Sequence, residues 1–234
     1  IAPKASAYPG TTEYGPNFHA GHEADSIFVW KRVTDQDYLP FMLDIGTKRF
    51  PDMSQVPEDM RELLAYCAFG VPRAFMTLVR SYLKNVKRHG TAQSTFNVTI
   101  DEFLADRVRE YLTLKEKKPQ FSSIVGIGKQ LLDKMVEAVY DANQLLLEGM
   151  TRQLYIGIDA SGVNDKPYVQ RMLLLLQEAG MVYAVSGVSH GDRDYVRFVP
   201  HLAAVQARRA FAKKGDFSPK SEIELLSRPD EQHT

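Results

Sequence analysis

The sequence predicts a mainly helical α+β fold: a helical bundle followed by a smaller unit of helices and a short hairpin. Three observations predict it. Residues 34–118 carry a series of amphipathic segments, clearest in Ala74 to Arg88, where Phe75, Leu78, Val79, Tyr82 and Leu83 fall at helical core spacing. Residues 119–214 change rhythm and interleave helical stretches with the short β-type runs QLYIGI, MVYAVSGV and DYVRFV. Between the two, the charge run KEKK followed by Pro119 marks a boundary. A composition of 44% hydrophobic and 25% charged residues is enough to build a core in a chain of 234 residues.

In chain order, Tyr8 to Asp25 is turn-rich and reads as loop, and Ser26 to Trp30 (SIFVW) reads as a short strand. Thr34 or Asp35 is placed to cap a helix reaching about Lys48. FPDMSQ interrupts the pattern, and Pro57 suits a first helical turn, so a helix is expected over Glu58 to Phe69. The phrase GVPR then breaks an otherwise helical segment and starts the next helix. His89 to Asn97 reads as polar loop. Thr99, with Glu102 three residues on, has the spacing of a capping box for a helix to about Lys115. Lys129 to Leu147 is helical and Gln153 to Ile158 a strand. Asp165 caps a helix to Ala179 with Pro167 in its first turn, and Gly180 stops it. Met181 to Val188 and Asp194 to Val199 are strands joined by the turn SHGDR. A last helix spans about His201 to Lys214, and the polar tail, 215–234, is expected to be mobile.

Several classes are excluded or left without support. Lys+Arg and Asp+Glu balance at 29 each, so a basic surface has to be local. Cys67 is the single cysteine, which rules out an internal disulfide and fits a small core residue. No apolar run has the length of a membrane span, and no signal-peptide layout is present, so no membrane partner and a cytoplasmic setting are expected. HAGHE, with His19, His22 and Glu23, lies in a glycine-containing loop and lacks the helical metalloprotease pattern, so no metal site is expected. Gly126-Ile127-Gly128-Lys129 lacks the spacing of a phosphate loop and reads as a helix start. No catalytic grouping stands out.

The second half resembles a winged helix-turn-helix: helix, short strand, helix, hairpin, with MLLLLQEAGMVYAV as its most typical phrase. The resemblance implies contact with duplex DNA through the helix that begins near Lys166, with Lys166, Tyr168, Gln170 and Arg171 at its start and Arg193 and Arg197 on the wing. The wing tip HGDRD is not a basic cluster, and winged helices also bind proteins. Arg208, Arg209, Lys213 and Lys214 offer further positive charge, or simply a solvated face.

The first half, with SIFVW, the helix over TDQDYLPFMLDIGTKRF, the phrase PEDMRELLAYCAFGVPRAFMTLVRSYL and the helix VTIDEFLADRVREYL, resembles the passage from the nucleotide core of an AAA+ ATPase into its helical lid. With a winged helix after it, the order is similar to the origin-recognition-complex branch and its bacterial relatives. The resemblance implies a division into a core remnant (1–33), a lid (34–118), a winged helix (119–214) and the tail. It identifies Gly70, Pro72 and Arg73 with the sensor 2 element, whose arginine reaches nucleotide phosphates, and implies that Tyr38 packs near the adenine. A planar, permanent cation is what such a role needs. The plainer reading is a helix–helix turn with a solvated arginine.

The sequence holds neither a GxxxxGK[ST] phosphate loop nor an apolar run ending in Asp-Glu. The opening IAPKASAYPG reads like the end of a buried strand, so the chain is expected to be a piece of a longer protein. ATP or ADP with magnesium is expected only in that longer protein and not for this chain alone. The chain would then couple nucleotide state to DNA, to a protein partner or to an AAA+ oligomer. The rival is a nucleotide-independent regulator or adaptor, with a helical interaction domain and a winged helix. A pure protein-interaction module is a third option.

Overall fold

In a computed structural model, the structure describes residues 31–145, 153–211 and 218–227. It is mainly helical with one small antiparallel sheet, as the sequence predicts. The first half holds α1 (Tyr38–Arg49), a 3-10 turn (Pro51–Gln55), α2 (Glu58–Cys67), α3 (Pro72–Asn85) and α4 (Ala92–Leu112). The short α5 (Leu114–Lys117) and a 3-10 turn (Pro119–Phe121) lead into α6 (Ser122–Leu145). Then come β1 (Ile156–Asp159), α7 (Ala160–Asn164), α8 (Pro167–Glu178), β2 (Val182–His190), β3 (Arg193–Pro200), α9 (Leu202–Ala207) and α10 (Pro219–Ser227).

The helix α3 shows how pattern becomes packing. Pro72 opens it in the first turn, where a missing N–H costs nothing. Phe75, Leu78, Val79 and Tyr82 are fully buried, and at roughly 1.5–3 kcal/mol for each large apolar side chain they dominate what holds α3 in place. Its neighbours are α1, α2 and α4. The sheet has strand order β1-β3-β2, with Ile156 opposite Phe198 and Val182 opposite Pro200. Gly191 takes φ 65 in the two-residue turn between β2 and β3, the first central position of a tight hairpin, which favours glycine. All but one of the buried apolar residues described, Met172, form one cluster running from Val33 to Leu226. It crosses the Pro119 region because α9 lies against both α2 and α4, and α4 against α6.

Several local expectations are corrected. The first helix begins at Tyr38, not at Thr34, and Asp35 instead accepts a hydrogen bond from the Arg32 N–H at 3.0 Å. The expected polar loop 89–97 is largely helical. Thr91 caps α4 by accepting from the Ser94 N–H at 3.1 Å. Thr99 lies buried inside α4, its hydroxyl donating to the Thr95 carbonyl at 2.7 Å, so it caps nothing. Helix α6 starts at Ser122, which puts Gly126 and Gly128 inside it. At Gly128 a Cβ would collide with the Tyr111 hydroxyl, so this glycine serves close α4–α6 packing. Asp165 does not cap α8; the cap position is Lys166, and Asp165 ends the unexpected α7, which Asp159 caps through the Ser161 N–H at 2.9 Å. The last expected helix is shorter, ending at Ala207. The tail is not simply polar chain: α10 docks on α2 with Leu226 and Glu222 buried. The expected strand Ser26 to Trp30, the HAGHE histidines, and Lys213 and Lys214 lie outside the described residues.

Candidate functional site

The break at GVPR is a tight, buried turn. Phe69 takes φ 52 and Gly70 φ 83, two consecutive residues in the left-handed region. Gly70 is required there, because a Cβ would run into the Lys31 carbonyl oxygen as well as strain the backbone. The turn is fastened on two sides. The Gly70 carbonyl accepts from the Lys31 N–H at 3.3 Å. The Gly70 N–H donates to the Tyr38 hydroxyl at 3.1 Å, and that hydroxyl donates to the Ala65 carbonyl at 2.5 Å. Val71 then adopts extended backbone, and Pro72 and Arg73 enter the first turn of α3.

The four sequence-chosen residues Gly70, Pro72, Arg73 and Tyr38 therefore meet at this turn, in different roles. Gly70 and Tyr38 build the turn; Tyr38 is 1% exposed, its ring set against Tyr66 with centroids 5.7 Å apart. Burial pushes its phenol well above the usual range, so it stays protonated and donating. With its ring enclosed and its hydroxyl engaged, Tyr38 is a core residue in this structure, with no free face for a base. Arg73 is exposed, and among the described residues its guanidinium has no hydrogen-bond or ion-pair partner. Nearby, the Lys31 ammonium pairs with Asp37 at 2.5 Å, which holds the Asp37 carboxyl below the usual range.

The left-handed Phe69 has a further consequence. Its ring stacks on Tyr183 at the root of β2 (centroids 4.8 Å) and lies against His201, the N-cap of α9 (4.8 Å). Phe103 of α4 closes the group from beyond His201 at 5.9 Å. Sequence reasoning missed this cluster. Its signal was faint: an aromatic directly before the glycine, and a histidine after Pro200 where a helix starts.

The α8 and hairpin residues differ in their surroundings. Lys166, Tyr168, Gln170 and Arg193 are exposed, Tyr168 by 61%. Arg171 is half-buried, with its guanidinium over the Phe121 ring at 5.7 Å. Arg197 is held across the hairpin, donating to the Ser186 carbonyl and hydroxyl at 2.8 and 2.9 Å and lying over Tyr155. Asp192 and Asp194 flank Arg193, so the hairpin tip has mixed charge. Arg208 stacks on Tyr140 at 4.2 Å, and Arg209 takes φ 57 in the turn after α9.

Among the described residues neither a metal-binding group nor a reactive thiol emerges. Among the described residues no three His, Cys, Asp or Glu side chains gather as a metal site would require. Cys67 is buried, and burial, with Glu222 nearby, raises its thiol pKa well above the ordinary value. No described helix is long and apolar enough to cross a membrane. No family model, curated protein or solved structure matches the chain.

Proposed function

We propose that the chain is the lid and winged-helix part of an AAA+ ATPase of the origin-recognition type, coupling nucleotide state to DNA or partner binding. One observation carries the reading: Arg73 stands exposed and unpartnered among the described residues in the first turn of α3, on a turn tied to Lys31. A sensor arginine needs that combination of rigid backbone, free guanidinium and closeness to the segment entering the lid. The helix start also favours anions. The order helix α6, strand β1, helices α7 and α8, then the β2–β3 hairpin, with β3 central, supports the winged-helix part. Gly70 and Pro72 position Arg73, while Tyr38 acts behind the turn and not on the base. Lys166, Tyr168, Gln170 and Arg193 are the side chains left available for DNA.

On this reading the phosphate loop, the acidic magnesium site and hence any ATP and magnesium belong to a preceding part of a longer polypeptide. The chain by itself is then expected to show no magnesium-dependent ATP turnover, and robust turnover overturns the reading. In the longer protein, Arg73→Ala removes a charged hydrogen bond worth about 1.5–3 kcal/mol, so ATP binding or hydrolysis falls about ten- to a hundredfold. The unfolding midpoint should stay within a degree or so, since the side chain is exposed. Unchanged ATP binding and hydrolysis would remove the sensor role.

The Phe69 stack favours a second reading, the nucleotide-independent regulator. It gives the GVPR turn a structural duty, joining the two halves, that needs no nucleotide. The gene upstream of Ile1 separates the two: a phosphate loop and an acidic strand end there exclude the regulator.

A further inference from the structure

Charge is distributed unevenly along this neutral chain. Residues 63–100 contain no Asp or Glu, yet carry Arg73, Arg80, Lys84, Lys87 and Arg88. The structure turns that run into a surface. Steps of seven, four and three or four residues keep these cations on one side of α3 and of the turn that continues it. All five are exposed, whereas Phe75, Leu78, Val79, Tyr82 and Asn85 fill the opposite, buried face. None of the five forms an ion pair among the described residues, although seven other pairs do form. The α4 carboxylate that reaches α3, Glu102, accepts from the Asn85 amide at 3.0 Å on the packed side. Arg80 rests over the Phe50 ring at 5.9 Å, which holds its stem down without neutralising it.

Stability of α3 does not explain this stripe. Lys84 lies in the last turn and complements the helix dipole. Arg80 lies mid-helix, and a row of like charges is mildly destabilising. The residues between the cations, Thr77 and Ser81, are polar, and Val86 is the one exposed large apolar side chain of the stretch. A bilayer surface would need more apolar residues to insert. The exposed cations Arg80, Lys84, Lys87 and Arg88, following one another along α3 and the turn after it, suit a linear polyanion with regular phosphates.

We propose that the face of α3 and of the turn after it that carries Arg80, Lys84, Lys87 and Arg88 is a phosphate-contacting surface for duplex DNA, separate from the α8 and hairpin face. It does not depend on the AAA+ reading. It supplies the backbone charge neutralisation that the mixed-charge hairpin tip lacks, and carries no base specificity.

The test is binding of the full chain to a fluorescent duplex of random sequence across a salt series. The Arg80→Gln/Lys84→Gln variant is compared with Lys117→Gln/Lys118→Gln, which removes two exposed cations elsewhere. Loss of two phosphate contacts should flatten the log–log salt slope by about 1.8 and weaken low-salt binding about tenfold or more. The control pair should follow the unaltered chain, and thermal melting should show both variants folded. An unchanged slope, or an equal loss in the control, overturns the proposal. So does a variant that keeps DNA binding but loses polyglutamate or anionic vesicles, since the surface then serves another anion. A third pair, Lys166→Gln/Arg193→Gln, reports on the α8 and hairpin face. Loss confined to it sinks the α3 surface; loss confined to the α3 pair supports that surface and leaves the α8 and hairpin face without a DNA role.

Discussion

Tyr38 shows how one residue can carry a turn 32 positions away. Its hydroxyl donates to the Ala65 carbonyl and accepts from the Gly70 N–H, inside the buried core. Both partners belong to the stretch that ends α2 and presents Arg73. Tyr38→Phe keeps the ring and deletes the oxygen, leaving the Gly70 N–H buried without a partner. An unsatisfied buried group costs about 1–3 kcal/mol. Urea denaturation should show that loss with an unchanged m value. A stability equal to that of the unaltered chain would mean that the hydroxyl is idle.

Helices were legible in the sequence where a long apolar stripe meets a breaker residue. α2 and α3 follow from Pro57, from Pro72 and from spacings such as Phe75, Leu78, Val79 and Tyr82, which survive any context. The hairpin followed from its turn glycine. What was not legible depended on tertiary partners. Thr99 and Glu102 match a capping box in spacing, but Phe96, Ile100 and Phe103 need a helix that has already begun, and burial against α3 decides the matter. Threonines tolerate that interior because their hydroxyls bond the carbonyl four residues back. α10 is too short to be stable alone and exists because α2 offers a partner. At the site, the GVPR arginine could be read directly, whereas Tyr38's place under the turn and the ring of Phe69 needed three dimensions. The cap assignment is testable at this scale. Thr91→Ala should cost about 1 kcal/mol, and Thr91→Ser, which keeps the accepting oxygen, should restore most of it. Equal stability of the two variants would show that α4 starts elsewhere.

At the scale of the molecule, His201 is buried where the two halves meet, and its titration is expected to make the fold acid-sensitive. It is 3% exposed, between Phe69 and Phe103, and its Nδ1 accepts from the Ala203 N–H to start α9. That acceptor role requires the neutral ring. Burial first, and the positive Arg107 second, hold its pKa down to about 3, from an ordinary 6.5. The folded pKa is therefore depressed, so the unfolded chain binds the proton more readily. The stabilising contribution is complete above pH 6.5 and drains away as pH falls toward 3. At pH 4.5, two units below the unfolded value, about 3 kcal/mol of unfolding free energy should be gone, at about 1.4 kcal/mol per unit. Carboxylates held low by their partners, such as Asp159, add acid sensitivity of the same sign, but they are solvent-exposed and contribute little. His201→Asn isolates the histidine, because asparagine can cap a helix and stays neutral at every pH. The variant should be less stable at pH 7.5 through lost ring contacts, yet lose about 3 kcal/mol less than the unaltered chain between pH 7.5 and 4.5 in urea titrations. Parallel losses in the two proteins would show that His201 is not held neutral in the fold, and that the acid response arises from carboxylates alone.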